Sequence, residues 1–386
     1  MVVEAFIIQS VKNMKNRIFN GAAAAAALLL FLSACAKDEI TIVPITIDGV
    51  TTIADQTTQI TQAAMGDFIA IHGEGLDKAN ITSVKVNDIE IDLDEVYTEN
   101  STLYMKIPVT LPENQTDKIY ISNDKGTKEI PFVVIAPDLK LERMFNEYTA
   151  PGDTLMIYGQ FFELYDINAE NATVYFGNTP SKVIASSDTY LTTQVPANVE
   201  KNVKVKVVAD KHDAEAVCPG YYYDRQCMIM DFDTLVPSDA QYVVTDPKDS
   251  YRLSGNFLRI DPNSSWSGWW YIAQISGTAV TDDMLDNYED YEVKMEFCSA
   301  NQLVDGKIAF YTYLFWDAAP MAWTPSDIKF QNFNRWETIS VPFVVNRSKS
   351  YPENYRYHSF NIRLESSQEY TRNFCIDNVR ICKKGA

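Results

Sequence analysis

Histidine is almost missing from this chain: His72, His212 and His358 are the only three in 386 residues. That leaves little material for an imidazole-based catalytic or metal cluster. Also absent are a GxSxG elbow, an HExxH helix, a P-loop and a dinucleotide fingerprint, which removes the common hydrolase, metalloprotease and nucleotide-binding classes. No CxxC occurs, so neither a zinc ribbon nor a thioredoxin-type redox site has support. Cationic residues are in the minority, 33 Lys and Arg against 52 Asp and Glu, and the net charge of −19 repels nucleic acid and anionic lipid headgroups. Past residue 35 no run of 18 apolar residues follows, so no later segment is expected to span a membrane as a helix. Glycine, at 15, is outnumbered by 22 Tyr and 19 Phe, a balance that favours strands.

What the chain does have begins with a leader. Lys15 and Arg17 precede an apolar run from Ala22 to Leu32, followed by Ser33, Ala34 and Cys35. The stretch Leu32-Ser33-Ala34-Cys35 resembles the lipobox of a bacterial lipoprotein signal. The resemblance implies cleavage before Cys35 and acylation of that residue. "AKDE", Ala36 to Glu39, is similar to the export tag that sends Bacteroidetes lipoproteins to the outer face of the outer membrane. Five cysteines follow: Cys218, Cys227, Cys298, Cys375 and Cys382. An exported location permits disulfides, and Cys218 with Cys227 could close a short loop, but an odd number leaves at least one thiol unpaired.

An internal repeat organises the middle of the chain. "GDFIAIHGEGL" from Gly66 and "GDTLMIYGQFF" from Gly152 align without gaps, matching Gly66 to Gly152 and Gly73 to Gly159. Ile69 and Ile71 align with Leu155 and Ile157, the every-second-residue pattern of a strand buried on one face. Further on, Leu103, Met105 and Ile107 match Leu191, Thr193 and Val195. Two such units of short alternating strands predict two β-sandwiches in tandem. The Gly, strand, Gly, hydrophobic pattern resembles the immunoglobulin-like IPT/TIG modules, which mostly serve as spacers and interaction platforms.

Tryptophan is absent from the first 265 residues, and all six (Trp266, Trp269, Trp270, Trp316, Trp323 and Trp336) lie in the last part. Strand-like runs dominate there too, without a long amphipathic helix, so a larger β-sandwich of jelly-roll type is expected. The fold class is thus all-β. Expected boundaries are 1–34 signal peptide, 35–43 lipidated tether, 44–136 and 137–226 IPT/TIG-like domains, and 227–386 a C-terminal β-sandwich.

Aromatic clustering is the positive chemical signal. A pyranose presents a face of C–H bonds and an edge of hydroxyls, so it is bound by a flat exposed ring below and amide, carboxylate or guanidinium groups along the side. Trp323 sits in the segment "DAAPMAWTP", whose two prolines and second tryptophan are hard to explain as packing. Trp316 shares strand phase with Phe310 and Leu314, yet stands just before that segment. Trp269 and Trp270 must point to opposite faces of any strand that holds both, so one is core and the other, with Trp266 on a Ser/Gly loop, is a platform candidate. Trp266, Trp269, Trp270, Trp316, Trp323 and Tyr313 form the candidate glycan-binding set, and Trp336 is expected to cover the sandwich edge. No catalytic residue and no cofactor are assigned. Asp231, Asp233 and Asp377 could supply oxygens to a structural calcium ion.

Taken together, the lipobox, the tandem IPT/TIG-like units and the Trp-rich segments "GNFLRI", "WSGWWYIA", "FYTYLFW", "RWETISVPF", "HSFNIRL" and "FCIDNVRI" resemble the surface glycan-binding lipoproteins of Bacteroidetes polysaccharide utilisation loci. The resemblance implies a non-catalytic, outer-membrane, cell-surface receptor. It would capture a polysaccharide, neutral given the charge, and present it to a SusC/SusD-like uptake pair, with no role for nucleic acid. Prolines such as Pro137 and Pro219 would stiffen the arm. Two alternatives are a surface glycosidase with a carboxylate pair and an adhesin or assembly protein that uses the tandem sandwiches.

Overall fold

A computed structural model describes residues 42–238, 240–260, 268–275, 280–300, 309–314, 321–323, 332–343, 360–366 and 373–385; for 269–270, 309–314 and 321–323 it describes the backbone. Cys35 and the leader, Trp266, Trp316 and His358 lie outside these residues. The protein is all-β, built of sandwich-type sheets with a few single-turn helices, and no helix among the described residues is long and apolar enough to cross a membrane.

Strands Thr46–Thr52, Phe68–Glu74, Thr102–Lys106 and Tyr97–Glu99 form one sheet of the first unit, and Ile89–Ile91, Ser83–Val86, Lys118–Asn123 and Gly126–Pro131 form another. Ile69, Ile71, Leu103 and Met105 from the first sheet meet Val84, Ile119 and Ile121 from the second in one buried cluster. In the second unit seven strands run in one continuous order from Lys140–Met144 to Ala214–Tyr222. Its long strand Thr179–Ser187 pairs with Ala172–Phe176 through its first half and with Tyr190–Gln194 through its second. The register shift between Val183 and Ala185 lets one strand serve both layers.

The repeated glycines have two physical reasons. Gly66 and Gly152 adopt φ of 84° and 91°, the left-handed region where a side chain is strained. Gly73 and Gly159 lie where the preceding strand crosses closely: an added Cβ would stand 1.9 Å from the Thr46 carbonyl oxygen and 2.2 Å from that of Lys140. Leu76 and Phe162, which follow them, are fully buried. Pro219 lies inside Ala214–Tyr222, opposite a register shift at Lys204/Lys206, where a missing N–H is tolerated. It is therefore a strand residue and not a linker stiffener.

The last unit packs a six-stranded sheet against a four-stranded one. Phe374–Lys383 runs through the former, flanked by Phe257–Ile260 and Tyr291–Ser299 and joined by Met228–Met230. Nine of its ten residues are buried. Trp336, expected from sequence to cover the sandwich edge, packs instead across this sheet against the cluster of Phe257, Cys298 and Cys375: its Nε1–H donates to the Tyr251 carbonyl at 2.8 Å and its ring meets Phe257 edge-on.

The second and third units share a buried ionic junction. Glu147, from a turn of the second unit, accepts from Arg380 at 2.5 Å and Lys294 at 3.0 Å, while Arg380, wholly buried, also donates to Glu296 at 2.9 Å. The Thr338 N–H donates to the Phe145 carbonyl and the Glu147 N–H to Thr338 Oγ1, both at 2.8 Å. Gly220 makes room here, since a Cβ on it would lie 2.3 Å from Glu147 Oε1. Burial alone would raise the Glu147 carboxyl, but Arg380 and Lys294 outweigh it and hold it below the usual range. For Glu296 burial wins over Arg380 and lifts the carboxyl to about 7.

Candidate functional site

The four-stranded sheet of the last unit brings most of the sequence's aromatic candidates together. Its order is Gly268–Ile275, Phe360–Ser366, Ala309–Leu314, Met321–Trp323, all antiparallel. Opposite partners in such a sheet occupy the same face, so register sorts the candidates.

Phe360, Ile362 and Leu364 are fully buried in the core cluster that also holds Ile272 and Ala273. Trp270 pairs with Leu364, Leu364 with Phe310, and Phe310 with Trp323, so the four share one row of the register, the row of buried Leu364. The next residues form the opposite face in three rows. Trp269 pairs with Glu365, itself paired with Ala309; Tyr271 pairs with Arg363, itself paired with Tyr311; Gln274 and Tyr313 both pair with Asn361. The outward face, the one away from Leu364, thus carries a central polar strip of Asn361, Arg363 and Glu365 between aromatic positions on both neighbouring strands. Asn361 is fully buried at one end of the strip, Arg363 is largely covered and Glu365 is the most open of the three. Arg363 reaches Glu365 at 3.4 Å, and the Glu365 side chain is 46% exposed. Neighbouring strands stand about 4.8 Å apart, so the flanking aromatic positions span roughly 10 Å across the strip.

Period-two counting would not have carried through this sheet. A register shift between Tyr271 and Ala273 resets the phase of the strand, and both Ile272 and Ala273 are buried. Tyr313, Trp269 and Trp270 belong to the candidate set read from sequence, whereas Tyr271 and Tyr311 do not. The signal was present in "AFYTYL", where Phe310, Thr312 and Leu314 alternate with Tyr311 and Tyr313.

The other sequence candidates are accounted for locally. His72 is held between the hydroxyls of Thr51 (2.9 Å) and Thr102 (3.2 Å), and His212 meets the edge of Tyr165. Asp231 is fully engaged: one oxygen takes the N–H groups of Asp233, Thr234 and Leu235, and the other takes the Thr234 hydroxyl and the Arg225 guanidinium. Against the opposing effect of burial, these bonds bring its carboxyl down to about 2. Asp231, Asp233 and Asp377 do not converge into a ligand set; among the described residues, the one group with metal-ligating atoms drawn together is Asp224, Cys227 and Cys382.

Residues 222–383 match the family model described as surface glycan-binding protein B xyloglucan binding domain, and residues 143–221 match the IPT/TIG domain. Among solved structures, the surface glycan-binding protein PbSGBP-B from Prevotella bryantii is similar over 89% of this chain and 99% of its own, at 17% identity and a TM-score of 0.59. SGBP-B from a complex xyloglucan utilization locus in Bacteroides uniformis is similar over 88% of this chain and 99% of its own, at 15% identity and a TM-score of 0.50. At such identities these two likenesses are of fold. No curated protein matches the chain.

Proposed function

We propose that the protein captures a neutral polysaccharide of the xyloglucan class on the outward face of its last sheet, a reading supported by the match of residues 222–383 to the surface glycan-binding protein B xyloglucan binding domain and of residues 143–221 to the IPT/TIG domain. The observation that supports this reading is the register of that face: Trp269, Tyr271, Tyr311 and Tyr313 flank the polar strip of Asn361, Arg363 and Glu365. Aromatic rings take the C–H faces of successive sugars, burying apolar area, while Glu365 and Arg363 at the open end of the strip serve their hydroxyl edges. Trp266 and Trp316, which lie outside the described residues, are assigned to the same binding set from sequence alone. Trp270 and Trp323 share the row of buried Leu364 and act as its support.

In this reading Cys35 carries the lipid that holds the protein on the outer membrane surface, and the two sandwiches lift the binding face away from it. Weak single-site affinity suffices, because a polymer engages many tethered copies at once. The captured chain passes to a SusC/SusD-like uptake pair, and no bond is cleaved. Affinity electrophoresis of the full chain in gels containing xyloglucan tests the reading. Retardation by xyloglucan, none by polygalacturonate, and no release of reducing ends support it. Migration unaffected by any neutral β-glucan, or release of reducing ends, overturns it.

A further inference from the structure

The connection into the last unit holds a cysteine pair that the glycan-binding reading does not use. Cys227 immediately precedes Met228–Met230, and its carbonyl accepts from the Ile381 N–H at 3.0 Å. That contact sets it beside Cys382 on the final strand. The two Sγ atoms and an Asp224 carboxylate oxygen all lie within 4.8 Å of one another, and the Cys382 thiol reaches Asp224 Oδ2 at 3.7 Å. Cys382 is buried and Cys227 half-buried, so one sulfur of the pair is open to a reagent and the other waits behind it. Cys218 is packed in the core of the second unit, and the groups drawn together with Cys227 are Asp224 and Cys382.

From this juxtaposition we infer that Cys227 and Cys382 are the site of a disulfide that staples the entry of the last unit to its exit. The oxidant is a protein disulfide of the thiol–disulfide oxidoreductase class. The Cys227 thiolate attacks one of its sulfurs and expels the other as a thiolate. Cys382 then loses its proton to solvent as its sulfur attacks Cys227 Sγ and releases the second oxidoreductase sulfur as a thiolate, which takes up a proton. Two thiols lose two electrons and two protons, and the acceptor disulfide becomes a dithiol. The hydrogen bond from the Cys382 thiol lowers the Cys227 pKa despite burial, which favours Cys227 as the attacking group. A structural zinc ion fits less well, because such sites use four protein ligands and this group offers three among the described residues.

The staple closes a loop from 227 to 382, nearly the whole unit. A loop that long constrains the unfolded chain strongly, which corresponds to a Tm shift on the order of 10 °C. The test is to block thiols with N-ethylmaleimide in intact cells, isolate the full chain and map peptides without reduction. A Cys227–Cys382 linked peptide is expected, with the partner thiol newly alkylated in Cys227→Ser and in Cys382→Ser. Dithiothreitol is expected to lower the Tm by that amount in the wild type but not in Cys227→Ser. Alkylation of both thiols in the wild type, a Cys218–Cys227 link, stoichiometric zinc with both thiols unlinked, or an equal Tm response in Cys227→Ser would each overturn the inference.

Discussion

Replacing Glu147 by Gln strikes the junction between the second and third units where it is least able to adapt. Glu147 accepts from Arg380 at 2.5 Å and Lys294 at 3.0 Å, and the three side chains are 6%, 0% and 13% exposed. The amide keeps the shape but removes the negative charge. Arg380 then retains Glu296 and the Asn378 carbonyl, while Lys294 keeps only Glu292 at 3.6 Å. Breaking a buried pair from one side costs about 3–5 kcal/mol, because the abandoned cation cannot return to water. Exposed pairs such as Lys78–Asp94, with side chains 45% and 92% exposed, contribute about 0–1 kcal/mol, so Asp94→Asn is the control. Urea unfolding followed by tryptophan fluorescence reports the last unit selectively, since all six tryptophans follow residue 265. The expected result is a loss of at least about 3 kcal/mol in Glu147→Gln, with the last unit unfolding apart from the second. A loss under about 1 kcal/mol, equal to the control, would refute the view that this cluster fuses the two units.

Gly73→Ala is expected to destabilise the first unit by about 2 kcal/mol or more, because its Cβ would stand 1.9 Å from the Thr46 carbonyl; hydrogen exchange of the strand Thr46–Thr52 checks it. Stability should also depend on pH through Glu296, lifted by burial from the usual 4.5 to about 7. Between those values the folded protein holds a proton that the unfolded chain has lost, so this group's contribution falls as pH rises through the window. Glu296→Gln should flatten that slope in denaturant titrations at a series of pH values. Asp231, brought from 3.8 to about 2, acts in the opposite sense: its contribution is present above pH 3.8 and lost as pH falls towards 2, a loss that Asp231→Asn should remove from an acid titration.

Much of the fold was legible because its rules are local. The glycine repeat marks a left-handed turn at Gly66 and Gly152 and a close crossing at Gly73 and Gly159, and both demands fall on the residue itself. Alternation at Ile69 and Ile71 reads directly as one buried face. What sequence could not supply depends on partners far away in the chain. Glu147 and Arg380 are 233 residues apart, and nothing near either one announces the other. Cys227 and Cys382 are separated by nearly the whole last unit. For the candidate site, the sequence offers a set of rings but does not divide Trp269 from Trp270. That division rests on which strand residues pair with buried Leu364, and the register shift after Tyr271 hides it from any periodic count.

Calorimetric titration of xyloglucan oligosaccharide into full-length Trp269→Ala and Trp270→Ala, each with its Tm, bears most directly on the central claim. Trp269→Ala should weaken binding at least about tenfold, equivalent to about 1.4 kcal/mol, with little change in Tm. Trp270→Ala should lower the Tm instead, since its register position belongs to the row of Leu364. Undiminished affinity in Trp269→Ala, or a Trp270→Ala protein that keeps its Tm and loses binding, would contradict the assignment of the outward face as the glycan site.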